Sequence, residues 1–304
     1  MSEKLANKYE KTPNSMSTWT IIKREFARDI GAMIAVGILV IAILFVIIGP
    51  FFISNFAREG FDPLGVNPRF LNNPPSAQNW LGTEGTGRDV FSILVVGAGN
   101  SLVVALAVTI LSNFIGISLG LISGYFGGKF DNIMMRIVDF ISTLPALVMI
   151  IAFLAIIPGF SLIRFVLVMT FFSWTGMMRL IRANALQEKE LEYIQASKTL
   201  GTPHWKIIVR ELLPNVSSII IVNLTLATAN NVGIETGLTF LGFGFPFDHP
   251  SLGSLIATAS HPIVIQHRWW IWMPAALFVL ILMFSINAIG KTLERATDAR
   301  LRRG

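Results

Sequence analysis

Long uncharged stretches constrain this sequence more than any other feature. The chain has 304 residues, 53% of them hydrophobic and only 14% charged, whereas an ordinary soluble domain carries about 25% charged residues. A membrane-spanning helix needs about 20 mainly apolar residues. Five uncharged stretches reach that length: Ile30 to Ala57, Val90 to Gly128, Phe140 to Ile163, Leu212 to Ile234 and Trp269 to Gly290. The sequence therefore predicts an all-α integral membrane protein.

A sixth transmembrane helix is predicted from Ile163 to Ile181. Its uncharged part, Phe165 to Met178, is short for a membrane crossing. Arg164 and Arg179 flank that part and can extend their charged ends to the membrane surface. This stretch is therefore able to cross the membrane.

The stretch from Val90 to Gly128 is too long for one crossing. As a helix it would measure about 58 Å, about twice the thickness of the hydrocarbon layer. We expect it to divide near Gly97, with the crossing running from about Gly99 to Ser123.

Basic residues are distributed very unevenly around these six predicted spans. With both termini in the cytoplasm, the extracytoplasmic segments hold few of the 24 Lys and Arg residues: Arg58, Arg69, Arg88, Arg164 and Arg268. An excess of Lys and Arg on the cytoplasmic side is the usual signature of membrane topology. It explains the net charge of +6 without a nucleic-acid partner, which we do not expect.

The spans divide the chain into five predicted regions. They are a cytoplasmic tail with an interfacial helix over 1–30, a first transmembrane helix over 31–53, a Pro-, Asn- and Gly-rich extracytoplasmic loop over 54–89, a core with five transmembrane helices over 90–290, and a cytoplasmic tail over 291–304. We expect residues 1–16 to be disordered. The stretch from Ser17 could also be a plain cytosolic extension of the first span.

The cytoplasmic loop over 188–215 interrupts the core with a continuously charged sequence. It predicts one helix from Lys189 to Thr199, stopped by a left-handed Gly201. A second short helix would start with Thr202 as its N-cap and Pro203 in its first turn, and Pro214 would end it. Helices this short are marginal alone in water and need a surface to dock against.

No arrangement of residues in the sequence predicts catalysis. There is no cysteine, which excludes thiolate metal sites and thiol catalysis. His249, His261 and His267 share one extracytoplasmic loop, but their spacing does not fit a helical metal motif such as HExxH. No GxxxxGK[ST] phosphate loop occurs. We therefore expect a chain that is not an enzyme and binds no cofactor itself.

Polar residues inside the predicted spans are the candidates for a translocation path. Such groups are costly in a membrane and often line a route for solutes, although they equally serve as interhelical hydrogen bonds. The path candidates are Asn100, Asn113, Asn230, Asn231 and Glu235. We expect Glu235, at the outer boundary of its span, to remain hydrated.

Two further features concern helix packing and the outer surface. Gly116, Gly120 and Gly124 form a smooth stripe that lets another helix approach closely, either within this chain or in a subunit or gate contact. The loop TFLGFGFPFDHPSLGS, 239 to 254, is too apolar to be freely solvated. It predicts a re-entrant or interface-lying segment whose backbone groups are satisfied by protein or water.

The cytoplasmic loop resembles the EAA loop of permease subunits from bacterial ATP-binding-cassette (ABC) importers. The matching positions, at the right spacing, are Gln195, Ala196, Ser197, Gly201, Leu213 and Pro214. Gln195 replaces the usual acid and Ser197 the second alanine. Glu192 is a candidate substitute for the acid.

Further motifs extend the resemblance over most of the chain from Trp80 onward. They are LGTEGTGRDV, GYFGG, RIVDFISTLP, EYIQASKTLG, LLPN, TFLGFG and a tail ending in DARLR. Lys291 and Ala299 depart from the expected tail. In this order they resemble the dipeptide and oligopeptide permeases, in particular the C-type subunit with an extra N-terminal span.

The resemblance implies a type I ABC importer permease fold, with one N-terminal span and a five-helix core, in the bacterial plasma membrane. It implies a heterodimer with a related B-type permease subunit, two ATPase subunits that hold ATP and Mg, an extracytoplasmic solute-binding protein and short peptides as cargo. The first short helix would be the coupling helix that docks on the ATPase, with Tyr193, Ala196, Ser197 and Leu200 on one face.

Three alternatives remain open from the sequence. A nickel chelate is a possible cargo, because nickel permeases resemble peptide permeases closely. An ATP-independent secondary carrier would show an inverted repeat or buried ion pair, neither of which stands out. An intramembrane enzyme would use the extracytoplasmic histidines.

Overall fold

The computed structural model describes residues 18–57, 59–156 and 159–301. The predicted disorder of residues 1–16 lies outside these ranges. Within them the chain is helical and contains no β-strand, only an isolated bridge between Thr83 and Asp89. The all-α prediction is confirmed for this part of the chain.

The helices are numbered here in chain order. They are α1 Thr18–Arg28, α2 Ile30–Ile53, α3 Val90–Phe126, α4 Gly128–Thr143, α5 Ala146–Ile156, α6 Leu162–Glu188, α7 Glu192–Thr199, α8 His204–Phe240, α9 Leu252–Ala257, α10 Pro262–His267 and α11 Trp269–Leu301. Five of them (α2, α3, α6, α8 and α11) are long and apolar enough to cross a membrane. Counted as one span, the bent pair α4 and α5 gives a sixth, in agreement with the predicted number.

The third span is sharply bent. Helices α4 and α5 meet at an angle of 81°, and the break lies at Leu144, whose backbone is extended. Pro145 follows, and the residue before a proline is pushed out of the helical region by its ring. The proline thus explains a bend inside a stretch that was predicted as one span.

The predicted division of the second span is wrong, because α3 runs unbroken for 37 residues. At about 55 Å it exceeds the hydrocarbon thickness. Its first turns are covered by protein, since Val90, Ile93 and Ala98 are at most 2% exposed. A side chain at Gly97 would overlap the backbone of Ser251. The surplus length of α3 is therefore packed against a loop of the same chain.

The glycine stripe of α3 packs within the chain. A Cβ atom at Gly116, Gly120 or Gly124 would lie 2.6–2.8 Å from atoms of α6, including the backbone oxygen atoms of Trp174 and Met178. Any residue with a Cβ atom would therefore overlap α6 at these three positions, and only glycine fits. Of the two open interpretations, the structure supports intramolecular packing of α3 on α6.

The loop over 59–89 is fixed by side-chain hydrogen bonds and ends in a cap for α3. Asp89 accepts hydrogen bonds from the Ser92 amide (2.8 Å) and from Asn79 Nδ2 (2.7 Å). Gly87 has φ +83°, and a Cβ atom there would lie 2.0 Å from the Asn67 carbonyl oxygen. The glycines of LGTEGTGRDV therefore shape a turn.

Asp29 joins the two ends of the described chain. Its carboxylate accepts from the Ala32 amide at the start of α2 (3.1 Å), from Arg295 (3.0 Å) and from Thr292 (3.3 Å) of α11. The hydrogen bond from the Ala32 amide, aided by Arg295, lowers the pKa of Asp29. The start of α2 and the end of α11 thus lie at one end of the bundle.

Candidate coupling loop and translocation cavity

Helix α7 is shorter than predicted, because it begins at Glu192 rather than Lys189. Helix α6 continues to Glu188, and the residues up to Leu191 form the turn between them. The backbone of Leu191 is extended, with ψ 147°. The residues that were predicted as the first turn of α7 therefore form the turn in which the chain changes direction.

The end of α7 follows the prediction for Gly201. This glycine has φ +77° and donates a hydrogen bond to the Lys198 carbonyl (3.0 Å), while the Thr202 amide bonds the Ser197 carbonyl (3.0 Å). This pair of bonds is a Schellman motif, which satisfies carbonyl groups at a helix end. No other atom lies within 4 Å of where a Cβ at Gly201 would be, so glycine is favoured here by backbone conformation and not by lack of space.

The predicted second short helix is instead the first part of α8. Pro203, not Thr202, occupies the N-cap position, and no side chain caps it. Pro214 does not end the helix, because a π-helical turn over Ile208–Leu212 ends two residues before it. Such a turn already departs from the regular hydrogen-bond register, so the missing donor of Pro214 is accommodated.

One face of α7 is held against the bundle. Ile194 is completely buried in an apolar cluster with Ile181, Ile207 and Leu212. Ser197 Oγ donates to Glu211 Oε1 at 2.9 Å. These contacts attach α7 to both α6 and α8.

Tyr193 adds a second polar attachment. Its hydroxyl donates to Glu188 Oε2 (2.7 Å) and accepts from Asn215 Nδ2 (2.6 Å). Partial desolvation of the hydroxyl group, followed by the bond to Glu188, raises the pKa of Tyr193 to about 12. The phenol is therefore neutral at physiological pH and available as a donor.

The end of α3 also reaches this loop, a contact that sequence reasoning missed. Tyr125 OH and His204 Nδ1 are 2.7 Å apart, and Lys198 Nζ lies 5.2 Å from the centre of the Tyr125 ring, within cation–π range. The partners are far apart in sequence, and only the GYFGG motif marked Tyr125 beforehand.

The opposite face of the loop is open and partly apolar. Leu200 is 85% exposed and Trp205 60% exposed, with exposed Leu191 and Val209 nearby in the chain and Ala196 exposed on α7. Several large apolar side chains exposed on one loop are typical of an interaction site. Of the predicted face, Tyr193, Ala196 and Leu200 are exposed, whereas Ser197 is half-buried and turned towards Glu211. The flanking Glu192 and Gln195 are exposed as well.

Three of the path candidates share one cavity. Asn113, Asn230 and Asn231 line a space of about 500 Å³ between α3, α5, α6 and α8. Asn231 Nδ2 donates to Thr109 Oγ1 and Asn113 Nδ2 to the Thr109 carbonyl, both at 2.8 Å. Further polar groups in its wall are those of Ser112, Ser173 and Asn223. The cavity walls combine uncharged amides and hydroxyls with apolar side chains.

The other two candidates lie elsewhere. Asn100 Nδ2 donates to the Pro250 carbonyl (2.8 Å), which ties α3 to the segment before α9. The expectation that Glu235 remains hydrated is wrong, because this residue is fully buried. The carboxyl group of Glu235 accepts hydrogen bonds from hydroxyl groups. Neither Asn100 nor Glu235 lines the cavity.

The three histidines are not assembled into a metal site. The ring centres of His249 and Phe160 are 5.6 Å apart. His261 lines a separate cavity between the loop before α3 and the segments that follow α8. Within the described ranges no group of three or more His, Cys, Asp or Glu residues could hold a metal ion.

The six spans, the ordered loop helix and the polar cavity define a multi-pass membrane transport component. The chain belongs to the family of binding-protein-dependent transport system inner membrane components, which matches residues 116–303. Residues 17–75 match the N-terminal transmembrane domain of oligopeptide transport permease C.

Similar curated proteins cover nearly the whole chain. The oligopeptide transport system permease protein OppC of Lactococcus lactis subsp. cremoris is 41% identical over 96% of this chain and 98% of its own length. OppC of Bacillus subtilis is 34% identical over 95% of this chain and 92% of its own length. The dipeptide transport system permease protein DppC of Bacillus subtilis is 37% identical over 88% of this chain and 82% of its own length.

Proposed function

We propose that this chain is the permease subunit of an ABC importer that moves short peptides across the bacterial plasma membrane. The observation that carries the proposal is the geometry of α7, which is fastened to the bundle through Ile194 and exposes Ala196 and Leu200 on its other side. The family and the names of the similar permeases support the same function.

The contacts of α7 suggest how ATP hydrolysis would drive transport. Two partner ATPase subunits bind ATP and Mg, and their closure pushes on α7. Tyr193 and Ser197 transmit this push to α6 and α8, and the Tyr125 to His204 contact transmits it to α3. Helices α3, α6 and α8 also line the cavity. A displacement of α7 therefore changes the shape of the cavity, as alternating access requires.

The open side and the two ends of the bundle would each face a different partner or compartment. Asn230 is exposed on the cavity wall, and a related B-type permease subunit would enclose the path from that side. The two ends of the described chain and α7 would face the cytoplasm, as the distribution of Lys and Arg predicts. A solute-binding protein would deliver cargo at the other end of the bundle.

Peptides fit the cavity better than the alternatives. Amides and hydroxyls can pair with peptide groups whatever the side chains are, and the similar permeases are named for oligopeptides and dipeptides. A nickel chelate remains the second candidate cargo within the family. Membership of a binding-protein-dependent family favours an ATP-driven importer over a secondary carrier.

The test is uptake of labelled di- and tripeptides by proteoliposomes that contain the chain, its partner subunits and the solute-binding protein. We expect ATP-dependent accumulation that unlabelled peptides, but not nickel chelates, reduce. Accumulation without ATP, or competition by the chelate alone, would contradict the proposal.

A further inference from the structure

Glu235 is a buried carboxyl group for which transport through the cavity provides no role. It lies on α8, one helical turn beyond the cavity residue Asn231, and is 0% exposed. No described ion pair includes it. Its partners are hydroxyl groups, those of Ser101, Thr236 and Thr239.

Two of these hydroxyl groups also hold the segment that follows α8. Thr239 Oγ1 donates to Glu235 Oε1 (3.0 Å) and accepts from the Phe245 amide (3.2 Å). Ser101 of α3 interacts with the Glu235 carboxyl group, and its Oγ accepts from the Leu252 amide (3.2 Å). Glu235 is thus connected to both ends of the segment Phe245–Leu252.

The chemistry of a hydroxyl group explains why a carboxyl group is suited to this position. Each hydroxyl carries one proton, and its oxygen already accepts from a segment amide. The proton of each hydroxyl is therefore free to go to Glu235, whose two oxygen atoms both accept when the carboxyl group is ionised. A glutamine would offer one accepting oxygen and a donating amino group, and could retain only one of the two connections.

We propose that Glu235 is a positioning residue for transport that holds the segment Phe245–Leu252 against α3 and α8. This proposal rests on the proposed function, since the segment lies at the end of the bundle opposite α7, where the solute-binding protein would dock. Release of the two hydroxyl contacts loosens the two ends of the segment, while the bond from Asn100 to the Pro250 carbonyl and the rest of the bundle stay in place.

Hydrogen exchange measured by mass spectrometry tests this proposal on the assembled complex in lipid nanodiscs. We expect Glu235→Ala to speed exchange about tenfold at both ends of the segment. Thr239→Val speeds it only near Phe245, and Ser101→Ala only near Leu252. Thr228→Val is the matched control on the same helix, because the Thr228 hydroxyl bonds only a carbonyl of its own helix.

A second measurement separates positioning from simple destabilisation. We measure the concentration of peptide-loaded solute-binding protein that gives half of the maximal uptake rate. In Thr239→Val and in Ser101→Ala this concentration should rise about fivefold, because the docking surface is less well ordered. The amount of copurified ATPase should stay the same. Glu235→Gln should fall between the wild type and Glu235→Ala in both measurements.

Three results would overturn the proposal. They are unchanged exchange in the segment, an equal increase throughout the chain including α7, and a lower yield of complex without any shift in the half-maximal concentration. If Glu235→Ala does not fold, the two hydroxyl variants decide the question. A wild-type complex that takes up no peptide would refute the proposed function but leave the exchange result valid.

Discussion

Ser197 on α7 donates a 2.9 Å hydrogen bond to Glu211 in the first turns of α8. Ser197 is one of the two positions at which the loop departs from the EAA pattern. The other carboxylate oxygen of Glu211 is buried without a hydrogen-bond partner. The serine therefore satisfies a carboxylate that the interior of the loop would otherwise leave poorly solvated.

Removing this bond should weaken the attachment of α7. We expect Ser197→Ala to cost about 1 kcal/mol locally, because a partly buried carboxylate loses a donor. Faster hydrogen exchange in α7 and slower peptide uptake, at unchanged yield, would show it. Thr199→Val is the control, since the Thr199 hydroxyl bonds only a carbonyl of its own helix. Equal behaviour of the two variants would contradict a transmitting role for Ser197.

Leu200 should contribute to ATPase binding without stabilising the fold. It is 85% exposed, so Leu200→Ser removes almost no intramolecular contact. Its replacement should lower ATPase copurification at least about fivefold, the effect of about 1 kcal/mol of lost apolar burial. Thermal unfolding of the isolated chain should not change. Leu241→Ser, exposed at the opposite end, should leave copurification normal; a loss there of the same size would show that the effect is not local.

Whether a substitution at Gly201 is tolerated should depend on how readily the new residue adopts a positive φ angle. Its φ of +77° disfavours β-branched residues by about 1–2 kcal/mol, whereas asparagine adopts this conformation more readily. Peptide uptake should therefore be reduced in Gly201→Val and close to normal in Gly201→Asn. Equal activity of the two would exclude a conformational requirement at this position.

Gly120 should be critical for stability. A Cβ atom would lie 2.8 Å from the Met178 carbonyl oxygen and 2.9 Å from Ile181 Cβ, so Gly120→Leu must separate α3 from α6. We expect a loss of about 3 kcal/mol, measured as a lower unfolding temperature in nanodiscs. At Gly37 nothing lies within 4 Å, and Gly37→Ala should be neutral or slightly stabilising. Comparable stability of both variants would contradict the packing.

Features that depend on local chemistry could be predicted from the sequence. Apolar length gave the six spans, and the left-handed stop at Gly201 was expected because glycine adopts that conformation without steric cost. Pro145 stands inside a predicted span, and its effect on Leu144 produces the bend. These are properties of a residue and its immediate neighbours.

Features that depend on distant partners could not be predicted. The α3 helix remains whole because Ser251, far along the chain, covers Gly97. Glu235 is buried because Ser101 and Thr239 supply hydroxyl groups that a one-dimensional pattern does not bring together. Of the path candidates, Asn100 was equally plausible in sequence, yet its amide bonds the Pro250 carbonyl instead of lining the cavity.

We propose that the shape of α7 around Ala196, rather than an acid at position 195, couples this chain to its ATPase. The most direct test measures ATPase copurification and peptide uptake for two variants that add the same charge at adjacent exposed positions. Ala196→Glu should abolish both, because a bulky charge is placed at the small residue of the docking face. Gln195→Glu, which restores the acid of the EAA pattern, should retain both. Normal assembly and uptake in Ala196→Glu would show that the shape of α7 at this position does not determine coupling.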